Sequence, residues 1–210
     1  MRKHIFPLFM IIATIILWLT FYSKLPENLP THWGASGEVD DYSSKLTAML
    51  ISVGLMVLVY VVLFFIPKID PKKENYKLFS RAYMIINIAL FLVAFAINIL
   101  TISSGLGYDL NISIIIRIIL GALLIIIGFF LPQIKPNYFM GIKTPWTLND
   151  ETNWKKTHHF GGKIFILSGI IFMCSIFLPK AISETYIMPG VIIILLLPVG
   201  YSYWFYKKQV

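Results

Sequence analysis

The residues best suited to chemistry are concentrated in one polar segment, residues 23–45. This segment carries an imidazole, an indole and three carboxylates within ten residues, at His32, Trp33, Glu38, Asp40 and Asp41. An indole ring supplies contact area and carboxylates attract positive charge, so this set would suit recognition of a cationic or amphipathic peptide. The plainer interpretation is that Trp33 and Tyr42 only anchor the segment among lipid headgroups.

Catalytic and metal-binding patterns are absent from the sequence. The spacing of His32 and its carboxylates matches neither a His-Glu-x-x-His helix nor a calcium loop with a central glycine. There is no Walker A loop and no Gly-x-Ser-x-Gly, and His158 and His159 lack a companion acid or nucleophile at a recognisable spacing. We interpret these two histidines as interfacial, and we predict a protein that is not an enzyme and holds no metal ion or cofactor.

The composition indicates what surrounds these residues. Hydrophobic residues make up 58% of the 210-residue chain and charged residues 13%, against about 45–50% and about 25% in soluble domains. A membrane is therefore the predicted environment. The single cysteine, Cys174, excludes an intramolecular disulfide. The N-terminal apolar run is longer than that of a signal peptide and lacks a small-x-small cleavage site, so we predict that it is retained as a first span.

Six apolar stretches are long enough to cross a bilayer as helices, since a hydrocarbon core of about 30 Å requires roughly 20 residues. The predicted spans are 5–22, 46–66, 82–102, 112–131, 160–178 and 186–206. In the fifth span, Lys163 would have to extend toward the headgroups. The predicted fold is an all-α, polytopic membrane protein with six transmembrane helices.

The basic residues predict the orientation of these spans. Fourteen fall on the side of the two termini: Arg2, Lys3, Lys68, Lys72, Lys73, Lys77, Arg81, Lys135, Lys143, Lys155, Lys156, Lys163, Lys207 and Lys208. The opposite side carries only Lys24, Lys45 and Lys180. Because cytoplasmic loops are enriched in Lys and Arg, both termini are predicted to be cytoplasmic.

The outer connection, residues 23–45, is predicted to be a fixed loop. Pro26 and Pro30 favour extended backbone, and Gly34 and Gly37 allow a tight turn that returns the chain to the membrane. The residues predicted to face a partner are Pro30, Thr31, His32, Trp33, Gly37, Glu38, Asp40 and Asp41.

The cytoplasmic connection, residues 132–159, is predicted to contain a helix from about Leu148 to His159. Thr147 followed three residues later by Asp150 is a helix-start pattern of capping-box type, with Asp in place of the usual Glu or Gln. The helix would lie along the inner membrane surface.

The faces of this predicted helix differ in character. Trp154 and His158 would share one face, while Lys155 and Lys156 would point toward lipid phosphates. A soluble partner could use Trp146 and Trp154 as two aromatic anchors. The plainer interpretation is an interfacial helix without a partner.

The candidate functional polar residues inside the predicted spans are Arg117, Asn87 and Asn98. Arg117 would lie roughly 9 Å below the outer end of the fourth span, where an unpaired arginine costs up to about 3 kcal/mol, so a partner is expected. Asn87 and Asn98 are eleven residues apart and share one face of the third span. An Asn98–Arg117 contact would hold the bundle together, and the alternative is a polar path for a substrate.

The stretch from Gly141 onward carries a family resemblance. It consists of Gly141, Ile142, Lys143, Thr144, Pro145, Trp146, Thr147 and Leu148, followed by Asp150, Glu151 and Trp154. This stretch resembles the cytoplasmic signature of the SdpI family, in which Gly-Ile/Leu-Arg-Thr-Pro-Trp-Thr-Leu precedes an acidic pair and a tryptophan. Lys143 departs from the usual arginine, which keeps the charge but loses the bidentate fork.

The N-terminal region resembles the small membrane domain of unknown function that often precedes this signature. The resemblance rests on Leu25, Pro26, Pro30, Thr31, His32, Trp33, Gly37 and Asp40. It implies a two-helix domain over residues 1–66 with its outer loop at 23–45. A four-helix SdpI-like domain would follow over residues 67–210, with its motif loop at 132–159.

The resemblance implies a cell-membrane immunity protein that protects a Gram-positive producer from its own secreted toxic peptide. It also implies signal transduction, in which the toxin-occupied protein holds a transcriptional repressor at the membrane. The expected partners are the lipid bilayer, the toxic peptide and the repressor, with no direct binding of nucleic acid. The alternative, from a different class, is a small transporter or channel with a polar path at Arg117 and Asn98.

Overall fold

The computed structural model describes residues 2–34 and 37–209, with side chains from His4 onward. The helices of this part of the chain are α1 (Arg2–Phe21), α2 (Lys45–Ile69), α3 (Asn75–Leu78), α4 (Ser80–Gly105), α5 (Ile112–Phe130), α6 (Pro145–Asn149), α7 (Glu151–Cys174), α8 (Lys180–Ile182) and α9 (Met188–Lys207). Two strands, β1 (Asn28–Trp33) and β2 (Val39–Ser44), lie between α1 and α2. A π-helical turn, Ser183–Ile187, joins α8 to α9.

Six helices of the described chain are long and apolar enough to cross a bilayer. They are α1, α2, α4, α5, α7 and α9, and they correspond one to one to the predicted spans. Backbone groups in a helix satisfy one another, which is what a hydrocarbon environment requires. The predicted all-α class with six transmembrane helices is confirmed, and the chain is a multi-pass membrane protein.

Helix α7 differs from the prediction at its start. It begins at Glu151, so the predicted surface helix and the predicted fifth span form one continuous helix. Gly161 and Gly162 lie at the expected junction, and each glycine costs a helix about 1 kcal/mol. The helix continues because its backbone packs closely there: a Cβ on Gly162 would lie 2.7 Å from the carbonyl oxygen of Gly128 on α5. Small residues of this kind let two membrane helices approach each other.

Residues 23–45 contain an antiparallel hairpin, which the sequence did not predict. The pairing runs from Asn28 with Ser44 to Trp33 with Val39, with irregular register on either side of His32. The predicted tight return of the chain takes the form of this hairpin. Gly37 adopts φ +77°, a conformation that favours glycine.

The chain divides into two compact units. One consists of Met1–Phe64 with Asn87–Ile116, and the other of Phe65–Ile86 with Arg117–Val210. The predicted domain boundary after residue 66 was inferred from the family resemblance, whereas these units are defined by packing. The boundary therefore stays a prediction.

The first unit has an apolar core that includes the hairpin. Trp18 of α1, Leu25 and Leu29 form one buried cluster with Ala48 of α2 and Ile102 of α4. Leu29 is a β1 residue and is completely buried. Burial of an apolar side chain stabilises its position by about 1.5–3 kcal/mol, so the base of the hairpin is held against the helices.

The second unit contains two close helix contacts. A Cβ on Gly169 of α7 would lie 2.5 Å from the carbonyl oxygen of Gly121 on α5, and the Gly128–Gly162 contact follows two turns along. Helix α9 packs against α7 and α6. These contacts position the segment between α5 and α7, which carries the family signature.

Candidate functional site

The hairpin exposes a small polar surface. His32 Nδ1 and Asp40 Oδ1 are 2.5 Å apart, and both side chains are more than half exposed. Asp41 and Tyr42 are also exposed, with Tyr42 at 60%. The strand pairing therefore brings together predicted site residues that lie eight or more positions apart in the chain.

Other predicted residues of the hairpin face inward. Pro30 is buried, and the Thr31 hydroxyl is 3.2 Å from the Ser43 hydroxyl on the opposite strand. A Cβ on Gly37 would lie 2.8 Å from the backbone nitrogen of Ser113, so this glycine permits close contact with the start of α5. These residues shape the hairpin. The side chains of His32, Asp40 and Asp41 lie on its exposed surface.

Trp33 has an exposed part and a buried part. Its side chain is partly buried, and its indole Nε1–H is buried with no hydrogen-bond acceptor in the described part of the chain. A buried donor without an acceptor costs about 1–3 kcal/mol.

The segment from residue 137 to 159, here called the motif segment, contains two capped helix starts. Thr144 caps α6: its hydroxyl accepts from Thr147 N, and the Thr147 hydroxyl accepts from Thr144 N. Asp150 caps α7 by accepting from the backbone N–H groups of Thr152 and Asn153. The predicted Thr147–Asp150 capping box is therefore wrong. Asp150 in the extended region interrupts the helix, so each cap serves its own helix.

Trp154 and His158 are buried, contrary to the prediction that they lie at the interface or bind a partner. Trp154 is 2% exposed and donates from Nε1 to Ile134 O at 2.8 Å. Its ring stacks on the His158 ring with centroids 4.1 Å apart. Trp154 thus cannot be an anchor for a soluble partner, and His158 belongs to the core, whereas His159 is exposed as predicted for an interfacial residue.

His158 fixes the chain at Gly141. Its Nδ1 lies 2.8 Å from Trp154 O, which can only accept, and its Nε2 lies 3.1 Å from Ile142 N, which can only donate. These partners require the neutral tautomer with the proton on Nδ1. Gly141 has φ +103°, and a Cβ there would overlap His158 Nε2.

A second polar network, centred on Asp70, was missed by sequence reasoning. Asp70 is 1% exposed and accepts from the Tyr76 hydroxyl, Tyr138 N and Lys72 N at 2.7–3.0 Å. Burial and the neighbouring Asp70 raise the pKa of Tyr76 above its usual range, so the hydroxyl remains a donor. The only signal in the sequence was an acidic residue directly before a proline in a lysine-rich connection.

Asn137 and Asn153 are two further buried residues that hold the motif segment. Asn137 accepts from Phe139 N and Met140 N and donates to Lys135 O and Met140 O, which closes a turn. Asn153 donates to Ser202 O on α9 at 2.9 Å. Asparagines are common in turns, but nothing in the sequence pairs residue 153 with residue 202.

The exposed part of the motif segment is smaller than predicted. Lys143 is exposed, and its ammonium group donates to Tyr138 O and Phe139 O. Trp146 is partly exposed and packs against Tyr203 and Tyr206 of α9, with ring centroids 4.9 and 6.4 Å away. The remaining signature residues divide as follows: Pro145 and Glu151 exposed, Ile142 and Asp150 partly buried, Thr144 and Thr147 buried.

The polar residues inside the spans have partners that the sequence did not predict. Asn98 accepts from Trp18 Nε1 at 2.6 Å within the first unit. Arg117 Nη1 donates to Ser175 O at 3.4 Å, and Nη2 lies 4.0 Å from Glu184 Oε1. Asn98 and Arg117 therefore each have a partner within their own unit, and the predicted contact between them stays a prediction.

Asn87 and Glu184 are two further polar residues of the long helices and their ends. The side-chain oxygen of Asn87 is buried without a hydrogen-bond donor in the described chain, which is unusual for a native structure. Glu184, the ion-pair partner of Arg117, follows α8 in the π-helical turn. Glu184 lies 67 positions after Arg117 in the sequence, so no local sequence pattern predicts this ion pair.

These features define a class: a multi-pass helical membrane protein with a polar hairpin in one unit and, in the other, a motif segment with capped helix starts and several buried polar residues. Residues 133–202 match the model of the SdpI/YfhL protein family, and residues 9–57 match that of a domain of unknown function, DUF1648. The predicted resemblance to the SdpI family is therefore confirmed. No solved structure matches the chain.

A curated relative extends the similarity beyond the two family segments. Immunity protein SdpI of Bacillus subtilis (strain 168) is 29% identical over 208 residues, which cover 99% of this chain and 98% of the relative. The alignment therefore includes the hairpin, the six long helices and the motif segment.

Proposed function

We propose that this chain is a membrane immunity protein that protects a Gram-positive bacterium against a secreted toxic peptide. The similarity to Immunity protein SdpI along nearly the whole of both chains carries this proposal. The predicted orientation, with both termini in the cytoplasm, puts the hairpin outside the cell and the motif segment inside.

The hairpin is the element that meets the toxin. Leu29 is buried in the core of its unit, so the hairpin is already ordered and a ligand loses little free energy in fixing it. Asp40 and Asp41 are exposed carboxylates that would attract a cationic peptide. The partly exposed ring of Trp33, on the strand opposite Val39, would add an aromatic contact.

Exchange of Trp33→Ala with Asp40→Asn should reduce protection while leaving the amount of membrane protein unchanged. Loss of an aromatic anchor and of a carboxylate weakens binding by roughly thirtyfold if both act at the centre of the interface. The measurement is survival of a sensitive bacterial strain that expresses the protein, challenged with a panel of secreted toxic peptides from Gram-positive bacteria.

The matched control for this experiment is Tyr108→Ala with Asp109→Asn. These exposed residues lie between α4 and α5 on the same predicted side of the membrane, and the control changes residue types in the same way. The control variant should protect as the wild type does. Full protection by the hairpin variant would leave the hairpin as a structural anchor, and no protection by the wild type against any peptide would contradict the immunity function itself.

The motif segment is the element that would hold a transcriptional repressor at the membrane. Among the accessible signature residues, Lys143 offers a positive charge and Trp146 an aromatic ring, and both lie at the start of α6. The buried residues around them form a preformed surface, which supports this role because a rigid site binds with less entropic cost.

Replacing Lys143 and Trp146 by alanine should abolish recruitment of a fluorescent repressor to the membrane and spare much of the toxin resistance. Lys73→Ala with Trp204→Ala is the matched control, since it exchanges the same residue types at exposed positions outside the motif segment. Recruitment is measured by microscopy and survival in parallel, at equal expression. If the signature variant loses survival together with recruitment, transmission and protection are a single function and the two-sided assignment is wrong.

The alternative function is transport along a polar path at Arg117 and Asn98. The buried Arg117–Glu184 pair favours it, since intramembrane ion pairs often line ion or substrate pathways. Asn98, however, already accepts a hydrogen bond from Trp18. Survival without any change in solute flux supports immunity, whereas a flux that depends on Arg117 supports transport.

A further inference from the structure

A basic groove lies between α7 and α9 in the second unit. Its charged lining comes mainly from α7, where Lys155, His159 and Lys163 follow one another at intervals of four residues. Residues at this spacing share one face of a helix, and all three are exposed. Lys156 completes the basic lining, and Glu151 is the carboxylate at the end nearest the start of α7.

The floor of the groove is aromatic. Phe160 of α7 stacks on Tyr201 of α9, with ring centroids 4.7 Å apart and planes inclined by 27°. The ammonium group of Lys156 lies 4.5 Å from the centre of the Phe205 ring, which holds this lysine at the edge of the groove.

The groove continues around the end of α9. There it is lined by Trp204 and Lys208, whose ammonium group lies 5.0 Å from the Trp204 ring centre. Lys156 and Tyr201 belong to both parts, so basic and aromatic side chains alternate along one surface. A site for a small soluble anion would not require these aromatic side chains.

The depth of the groove fits the headgroup layer. Lys155 and Lys163 are eight residues apart, or about 12 Å along the helix axis. The span that begins with α7 runs from Glu151 to Phe177, which is 27 residues or about 40 Å, so roughly its first seven residues extend beyond a hydrocarbon core of about 30 Å. Lys155 and Lys156 lie in this part, and Lys163 lies deeper and reaches the headgroups through its long side chain. Tyr and Trp are enriched at this level of a membrane, and clusters of lysine there attract anionic lipids.

We propose that this groove binds the headgroup phosphate of an anionic phospholipid, with Lys155, Lys156 and Lys163 contacting the phosphodiester and Tyr201 packing against the glycerol region. Charge complementarity selects an anionic lipid over a zwitterionic one, because a choline group would be placed against the lysines. The bound lipid would tie the start of α7 to the last turns of α9.

The experiment uses the full-length protein in nanodiscs that contain phosphatidylglycerol and phosphatidylcholine in equal amounts. Native mass spectrometry then measures which lipid is retained by the released protein. The wild type should retain phosphatidylglycerol in preference to phosphatidylcholine. Exchange of Lys155, Lys156 and Lys163 for glutamine should lower that preference by about tenfold or more.

Two matched variants separate a site from general charge. Lys73, Lys135 and Lys207 are exposed in the same unit but do not line the groove, so their exchange for glutamine changes the net charge equally and should keep the preference. Arginine at the three groove positions should also keep it, which shows that the fold tolerates exchange there.

Three results would overturn the proposal. The first is equal retention of both lipids by the wild type, and the second is an equal loss of preference in the groove variant and the charge-matched control. The third is seen when the protein is placed in nanodiscs of phosphatidylcholine alone and soluble glycerol phosphate is added. If the protein retains glycerol phosphate as strongly as it retains phosphatidylglycerol, the groove binds a soluble phosphate and not a lipid. None of these outcomes bears on toxin protection, so the two proposals are tested separately.

Discussion

Gly141→Ala is expected to destabilise the protein by about 3 kcal/mol. An alanine at φ +103° is strained by about 1–3 kcal/mol. Its Cβ would also overlap His158 Nε2, which accepts from Ile142 N, and a buried hydrogen-bonding group left unpaired costs a further 1–3 kcal/mol or so. The measurement is the free energy of denaturant-induced unfolding in lipid or detergent.

A control and a double variant separate strain from overlap. Gly107 has φ +84°, and a Cβ added there would have no heavy atom within 4 Å, so Gly107→Ala should lose only about 1–2 kcal/mol. In a His158→Ala background, Gly141→Ala should cost about as little, since the overlapping ring is gone. Equal losses from Gly141→Ala with and without His158 would mean that the imidazole does not hold this turn.

The long helices were predictable from the sequence, because a bilayer imposes length and apolarity on each span independently of the others. The hairpin was not, since Pro30 inside β1 argues against a strand and only its position on an edge makes it acceptable. The signal that could have been used is the presence of two apolar residues, Leu25 and Leu29, in a largely polar segment, since both are buried against the helices.

The division of the motif segment into buried and exposed residues depends on contacts that the sequence does not contain. Trp146 and Trp154 look alike as sequence, yet one packs beside exposed tyrosines and the other is buried under the chain at Ile134. A family signature combines residues that bind with residues that fold. Thr144, Thr147 and Trp154 belong to the second kind, which narrows any partner surface to Lys143, Trp146 and their exposed neighbours.

Removal of either Arg117 or Glu184 alone should destabilise the protein. Glu184→Leu leaves the arginine, whose side chain is 10% exposed, with Ser175 O as its hydrogen-bond partner, and an uncompensated charge at this depth costs up to about 3 kcal/mol. Arg117→Leu should also cost about 1–3 kcal/mol, because Glu184 Oε1 is buried without a hydrogen-bond donor in the described chain. Ser175 O keeps its bond from the Ser183 hydroxyl at 2.8 Å.

The double variant Arg117→Leu with Glu184→Leu should recover most of the stability lost in Glu184→Leu, because replacing both members of a buried ion pair by apolar residues is often neutral or stabilising. Unfolding free energies of the four proteins give the coupling between the two side chains. Survival under toxin challenge then separates the two functions of the pair: a stable double variant that still protects makes the ion pair structural. A stable double variant that has lost protection would contradict that conclusion and assign the pair to a pathway through the membrane, since only the charges, and not the fold, would have been removed.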